Sequence, residues 1–481
     1  MSVTNITINE KYPPILLTGY EKVLLFILRI VSIAATLFVM YNTPILPGAS
    51  FFYLIPLSFT ICIFLFGDIF GYHKGCYGLK TFYIVMLFRY IIYPIYTCIS
   101  GYFNTDNPLV EWGNTYGIFM ISLECFVVCI TIKQTYLPIY YKEYNKINSN
   151  KIINSSLTKS GLCFVLFSVA CIIFKGGALS TMRFLVVTEK YNEVDAWLSY
   201  DTWIAQTLMA FLVIVIVSYY HNKEKHHHSF FNIILPLVVA LASTTIVFTN
   251  NRMTMIYYAV SALAILNYAF PKYKKMFKAS LLCALAVVIV SFTLLKQFNI
   301  NANDRAGESL DTYQISAGMS DYLCGMENIS FTCKMYDLNG QNVNIETFLA
   351  EVTKYCKVLN LPGLYIIPRH FEKTPTTIDY ATIRGEMVSV AGQTLYYGGK
   401  YFGWLLDILV FVVICKLLLL FDIRSRLEQS LGRKYVFTWI SILFGMSLCY
   451  CLTTLWLVIT FIPTFLLGAL WINDFFKPKN I

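Results

Sequence analysis

A chain of 481 residues that is 57% hydrophobic and only 13% charged, with a mean hydropathy of +0.60, is too apolar for a soluble globular protein. Soluble domains carry roughly 25% charged residues. The net charge of +10 does not make it a nucleic-acid binder, because the cationic residues sit in short stretches between apolar runs, where they set membrane topology. Phe and Tyr at 37 and 35 copies suit lipid-facing positions and interfacial belts.

The first 20 residues are polar and of mixed charge. They carry no cleavable signal peptide, so the first apolar run is expected to act as an uncleaved signal-anchor. A spanning helix needs about 20 apolar residues. Runs of that kind lie near 22–41, 51–70, 82–101, 115–136, 160–175, 202–220, 230–249, 253–270, 279–296, 402–421, 436–452 and 454–471. Lysines and arginines fall almost entirely on alternate loops. Lys11 and Lys22, Lys74 and Lys80, Lys133 to Lys159, Lys223 and Lys225, Lys272 to Lys278, Arg424 to Lys434, and Lys477 and Lys479 mark one side. The opposite short loops hold few cations, Arg183, Lys190 and Arg252 among them, beside several acids. Positive-inside asymmetry of this kind predicts an all-α polytopic membrane protein of about twelve transmembrane helices, N-in and C-in.

That topology gives three parts. Residues 1–296 carry helices 1–9, residues 297–401 form a large periplasmic or extracytoplasmic loop, and residues 402–481 carry helices 10–12 and a cytoplasmic tail. Within the loop, residues 345–359 read as one amphipathic helix. The prolines and glycines from Pro362 to Gly399 interrupt long helices. Its Cys324, Cys333 and Cys356 leave room for one disulfide, with no pairing singled out. The remaining cysteines are scattered through apolar segments, where Cys acts as a small hydrophobe. The segments show no internal repeat, which weighs against a transporter built from inverted halves.

The outward side gathers the residues with chemistry. Arg252 stands in Asn250-Asn251-Arg252 at a hairpin tip, and Arg183 in an outer loop opened by Lys175-Gly176-Gly177. The large loop holds Pro368-Arg369-His370 and Ile383-Arg384-Gly385-Glu386. A guanidinium offers a planar fork that binds phosphate oxygens bidentately, and its attraction strengthens where water is scarce. Arg252, Arg369, Arg384 and Arg183 are therefore diphosphate-binding candidates. The same residues also suit interfacial anchoring or salt bridges within the loop. His370 is the lone outward histidine and a general acid or base of suitable range, although a solitary loop histidine is commonly just solvated. Glu386 and Glu372 compete for that role, and Asp379 more weakly.

Inside the apolar runs lie Arg29, Arg89, Glu124 and Lys416. Such residues face the bundle interior, water or each other. Arg89 and Glu124 occupy consecutive helices at comparable depth, so a structural ion pair is expected first and a substrate path second. Asp407, about a turn and a half inside its helix, is placed to line an outward cavity. His226-His227-His228, beside Lys223 and Lys225, reads as a polar tract rather than a metal site.

Three local patterns resemble the O-antigen and capsular-polysaccharide polymerases of the Wzy type, the oligosaccharide repeat unit polymerases. They are Asn250-Asn251-Arg252 at its hairpin, Leu364-Tyr365-Ile366-Ile367-Pro368-Arg369 followed by Lys373, Thr374 and Pro375, and Gly385-Glu386 through Tyr396-Tyr397-Gly398-Gly399 into Phe402-Gly403-Trp404. The span number and the oversized outer loop before the last helices agree with that family. The resemblance implies a glycosyltransferase of the bacterial inner membrane that joins undecaprenyl-diphosphate-linked oligosaccharides, with His370 or Glu386 catalytic and the four arginines on the diphosphate. It implies no cofactor, and the loop has no Asp-x-Asp motif for a divalent metal. Partners would be the lipid-linked substrates, membrane lipid and a chain-length regulator protein, not nucleic acid. An O-antigen ligase would share topology and chemistry, and differs in its acceptor. A flippase or exporter of the same lipid-linked units would show short loops on both sides, and a structural membrane protein would use the loop to bind a partner.

Overall fold

Long apolar runs fold as helices because, in hydrocarbon, every backbone N–H and C=O must be satisfied within the segment. In the computed structural model of the chain the described residues are 17–44, 48–73, 75–101, 103, 111–144, 152–153, 155, 157–174, 200–245, 252–287, 319–320, 322–340, 343, 346–348, 351, 377 and 388–475. Among them the fold is all-α. Six helices are long and apolar enough to cross a membrane, spanning Gly19–Asn42, Leu54–Tyr72, Tyr77–Ser100, Trp112–Tyr144, Ile204–His226 and Val390–Leu427. This is the make-up of a multi-pass membrane protein. Helical residues cover at least part of each of the twelve apolar runs.

The chain divides into two compact units. The first comprises Met1–Lys146, Leu310–Ile423 and Ser441–Leu457. Its opening helix α1 (Gly19–Asn42) starts at a capping box in which Thr18 and Glu21 satisfy each other's backbone N–H groups. Much of α1 is exposed, including Val23, Phe26, Ile27 and Ile30, as a lipid-facing helix should be. Helix α2 (Leu54–Phe66) runs on as a 3-10 turn, Gly67–His73, and Thr36 joins α1 to it through Thr60 at 3.1 Å. Helix α3 (Tyr77–Leu87) passes through a π turn, Phe88–Ile92, into α4 (Tyr93–Ser100). Pro94 stands two residues past the π turn, and its missing N–H removes a ladder bond there. Helix α5 (Glu111–Tyr144) packs against α2.

The N-terminus of α3 is held from far along the chain. Gly78 N–H and Leu79 N–H donate to the two oxygens of Asp422 at 3.0 and 2.7 Å, so a carboxylate meets the positive end of the helix dipole. Gly78 is required there, because a Cβ would stand 2.5 Å from the Ser441 carbonyl oxygen.

The second unit comprises Ile147–Ser309, Arg424–Ile440 and Val458–Ile481. It contains α6 (Lys159–Phe174), α7 (Tyr200–His226), α8 (Phe231–Thr245), α9 (Arg252–Ala269) and α10, residues 274–287. The first unit also contains α11 (Met326–Asn339). Three further helices, α12 (Val390–Leu427), α13 (Leu431–Gly445) and α14 (Leu452–Phe475), contribute residues to both units. Lys434 closes the C-terminus of α12, donating to the Ser425 and Arg426 carbonyls at 2.5 and 3.2 Å. Thr158 Oγ1 ties the start of α6 to α14 by donating to the Asn473 carbonyl at 2.7 Å.

Helix α12 begins at Val390, within the stretch assigned to the outer loop from sequence. It is two helices, not one. At Gly399 the backbone adopts φ 73°, ψ 175°, which is not helical and is open in practice only to glycine. The first arm, residues 390–398, folds back on the second. A Cβ on Gly403 would stand 2.8 Å from Leu395 Cα, and one on Gly398 2.9 Å from Gly403 Cα. Only glycines allow that approach. The first arm is buried, with Val390, Ala391, Leu395 and Tyr396 at 1% exposure or less.

The other loop expectations fare differently. Cys324 and Cys333 are buried and are not bonded to each other, and Cys356 lies outside the described residues. Burial pushes both described thiols well above the ordinary cysteine value, which leaves them protonated and inert. Of the amphipathic helix 345–359, only residues 346–348 and 351 are described, and they are helical.

Candidate functional site

Arg183, Arg369, His370, Arg384 and Glu386 lie outside the described residues, as do Glu372 and Asp379. Arg252 is the first residue of α9, and its side chain lies outside the described set. What is described near these positions is a foot of the 297–401 stretch, residues 351, 377 and 388–401, in the first unit.

The centre of that foot is Glu351, a residue that sequence reasoning passed over. Its carboxylate is buried and accepts from Thr377 N–H at 2.9 Å, Thr377 Oγ1 at 2.8 Å, Gln393 Nε2 at 2.8 Å and Thr453 Oγ1 at 2.8 Å. The Tyr397 hydroxyl also donates to it. A carboxylate offers about four acceptor sites, and these donors fill them. Burial nevertheless holds the Glu351 pKa above the ordinary carboxylate value, while the hydrogen bonds from Tyr397, Thr453 and Thr377 pull it down. Its lone pairs are all engaged, so Glu351 positions neighbouring segments rather than serving as a free base.

Gln393 extends the hub. Its Nε2 donates to Thr453 Oγ1 at 2.6 Å, and its Oε1 accepts from Leu452 N–H at 2.8 Å, satisfying a free donor at the start of α14. Glu351 and Thr377 from the loop, the first arm of α12 and the head of α14 thus meet at one buried point. The signal in the sequence was slight: Gln393 and Thr394 are polar residues on a short apolar segment that ends in Gly398-Gly399.

A second buried polar cluster lies among the helices of the same unit. Arg89, on the π turn, is fully buried, and its Nη1 stands 3.0 Å from Glu124 Oε2 on α5. The expected ion pair is therefore formed. Nη1 also donates to the Leu448 carbonyl at 2.7 Å and Nη2 to the Cys324 carbonyl at 3.3 Å. Both carbonyls belong to breaks in helical structure: Leu448 lies in the 3-10 turn between α13 and α14, and Cys324 precedes α11 with φ 50°. Where helices break, carbonyls lose their intrahelical donors, and here a guanidinium supplies the replacement. The π turn that carries Arg89 is a geometry frequent at functional sites.

Asp407, on the second arm of α12, is buried and accepts from Thr394 Oγ1 at 3.3 Å. A third acid, Glu327 on α11, is also buried and accepts from Tyr93 OH at 2.7 Å and Ser320 Oγ at 2.5 Å.

Just after the Gly399 turn of α12, Lys400 Nζ lies 4.3 Å from the centre of the Trp112 ring. Trp112 Nε1 donates to Asp337 at 3.0 Å, linking α5 to α11. Exposed Tyr401, Phe402 and Trp404 follow directly, a sequence of aromatics beside a cation that suits a membrane interface.

Comparison with protein-family models matches none, and comparisons with curated proteins and with solved structures return no match.

Proposed function

We propose that the protein is a polymerase of undecaprenyl-diphosphate-linked oligosaccharide repeat units, for O-antigen or capsular polysaccharide, in the bacterial cytoplasmic membrane. On this reading it has twelve spans with both termini inside, and residues 297–401 face outward.

The observation that carries the proposal is the hub at Glu351. Glu351, Thr377 and Gln393, all in the 297–401 stretch, are tied to Thr453 at the head of α14 through buried hydrogen bonds, which supports a stretch anchored against the helices. Both substrates of such a reaction are anchored in lipid, so a reactive loop has to be held at membrane level. The alternation of cationic loops supports the orientation, and the three Wzy-like patterns support the substrate class.

The chemistry follows from the groups proposed. A hydroxyl of the incoming repeat attacks the anomeric carbon of the growing chain. The anomeric carbon–oxygen bond to phosphate breaks, and undecaprenyl diphosphate departs with the bonding pair. The hydroxyl proton passes to His370 or Glu386. Arg252, Arg369, Arg384 and Arg183 would face the negative charge gathering on the diphosphate.

The test is surface glycan from a deletion strain carrying wild type, Arg252→Ala or Arg369→Ala at matched membrane levels. A ladder with wild type, and single repeats on the core with the variants, supports the proposal. A full ladder from the deletion strain itself overturns it. Loss of every capped core assigns the protein instead as a ligase or flippase.

A further inference from the structure

Cys62 on α2 and Cys125 and Cys129 on α5 come together in the first unit. Their three sulfur atoms lie within 4.8 Å of one another, and all three residues are buried free thiols. Cys125 and Cys129 stand one helical turn apart and so share a face, and the Cys62 thiol is within hydrogen-bonding reach of both. A fourth buried thiol, Cys415 on α12, is close enough to interact with Cys129. Nothing in the proposed glycosyl transfer uses these sulfurs.

We propose that Cys62, Cys125 and Cys129 form a binding site for one soft, monovalent, closed-shell metal ion, with Cu(I) the natural occupant. Soft sulfur donors select such ions, whereas Mg²⁺ and Ca²⁺ take oxygen ligands. A planar three-sulfur site with metal–sulfur bonds of about 2.3 Å needs sulfurs about 4 Å apart, which the observed triangle reaches with small rotations. Zn²⁺ favours four ligands and would need Cys415 drawn in as the fourth.

Cysteine binds a metal as the thiolate. Cu(I) held by all three sulfurs therefore displaces the three thiol protons to water, three S–H bonds are replaced by three Cu–S bonds, and no electron is transferred.

A polar edge lies close to the site. One turn beyond Cys129, Lys133 pairs with Asp68, and these side chains are 43% and 40% exposed. At a rise of 1.5 Å per residue, Cys129 lies only about 6 Å along α5 from that polar edge.

The experiment uses the full chain, purified in detergent under anaerobic reducing conditions and titrated with Cu(I) against a chromophoric Cu(I) chelator. Cys62→Ser and Cys129→Ala test the site, and Cys283→Ser removes an exposed thiol elsewhere. Wild type and Cys283→Ser are expected to hold one equivalent that Cys62→Ser and Cys129→Ala lose. X-ray absorption of the loaded wild type should show a sulfur-only shell at about 2.3 Å. Retention by Cys62→Ser, or no bound equivalent in wild type, overturns the site. If both variants aggregate, the wild-type spectrum decides, and a nitrogen or oxygen shell overturns it.

Discussion

Thr394 and Asp407 are 13 residues apart, yet Thr394 Oγ1 donates to Asp407 at 3.3 Å. A straight helix would separate them by about 20 Å. The hydrogen bond exists because α12 doubles back at Gly399 and lays a buried arm against the membrane-spanning one. Non-spanning backbone of this kind is tolerated at membrane depth only where protein encloses it.

The turn makes a direct prediction. Gly399→Ala places a Cβ 2.8 Å from the Tyr336 hydroxyl at a backbone conformation of φ 73°. A loss of about 1–3 kcal/mol is expected, read as a lower unfolding temperature in detergent. Gly468→Ala, with nothing within 4 Å of its Cβ, should leave that temperature unchanged or raised. Equal melting of Gly399→Ala and wild type would rule out the reversal.

Removing the hub carboxylate should strand its donors. Glu351→Ala leaves Thr377, Gln393, Thr453 and Tyr397 without their acceptor, at about 1–3 kcal/mol for each group that finds no replacement. Glu351→Gln keeps one acceptor oxygen and should fall between Ala and wild type. Wild-type stability in Glu351→Ala would show that the docking does not depend on this carboxylate.

The pH dependence of the hub has a definite sign. Burial raises the folded pKa of Glu351 above its unfolded value, so the folded state holds the proton to higher pH. Its contribution is complete below the unfolded carboxylate value and is lost as pH rises through the folded one. Measured against Glu351→Gln, which does not titrate, wild type should lose relative stability on going from acidic to neutral pH. A difference that stays flat or grows with pH contradicts the assignment.

The buried ion pair should respond asymmetrically. Arg89→Met leaves Glu124 charged and alone, and Glu124→Gln leaves Arg89 with its carbonyl partners. Breaking a buried pair costs about 3–5 kcal/mol, with Arg89→Met the more damaging. The double variant should recover part of that loss, measured as chemical unfolding midpoints in a mutant cycle. Strict additivity would deny the coupling.

The helices were legible because apolar runs of spanning length leave little alternative in a bilayer. Arg89 and Glu124 were legible for the related reason that charges in such runs seek each other. Glu351 was not, because a glutamate in an amphipathic segment reads as solvated, and its partners at Gln393 and Thr453 lie 42 and 102 residues away. The first arm of α12 escaped because nine residues with two polar positions match neither a span nor a loop. Gly398, Gly399 and Gly403 were read as a family pattern, while their physical role is the close approach of two backbones. The cysteine triangle was equally hidden, since Cys62 shows no spacing relation to Cys125 and Cys129 in the chain.

The long reach of Arg89 has a consequence for how the protein is made. Its guanidinium is committed to an apolar helix early in synthesis, and Glu124 follows in the next long helix. The Leu448 carbonyl, however, is 359 residues downstream, so at about 5–20 residues per second it emerges roughly 20–70 s later. Through that interval the nascent bundle holds a partly solvated charge that a membrane chaperone or water must shelter. Truncation before Leu448 should leave α3 and α4 as the least securely inserted segment of the chain.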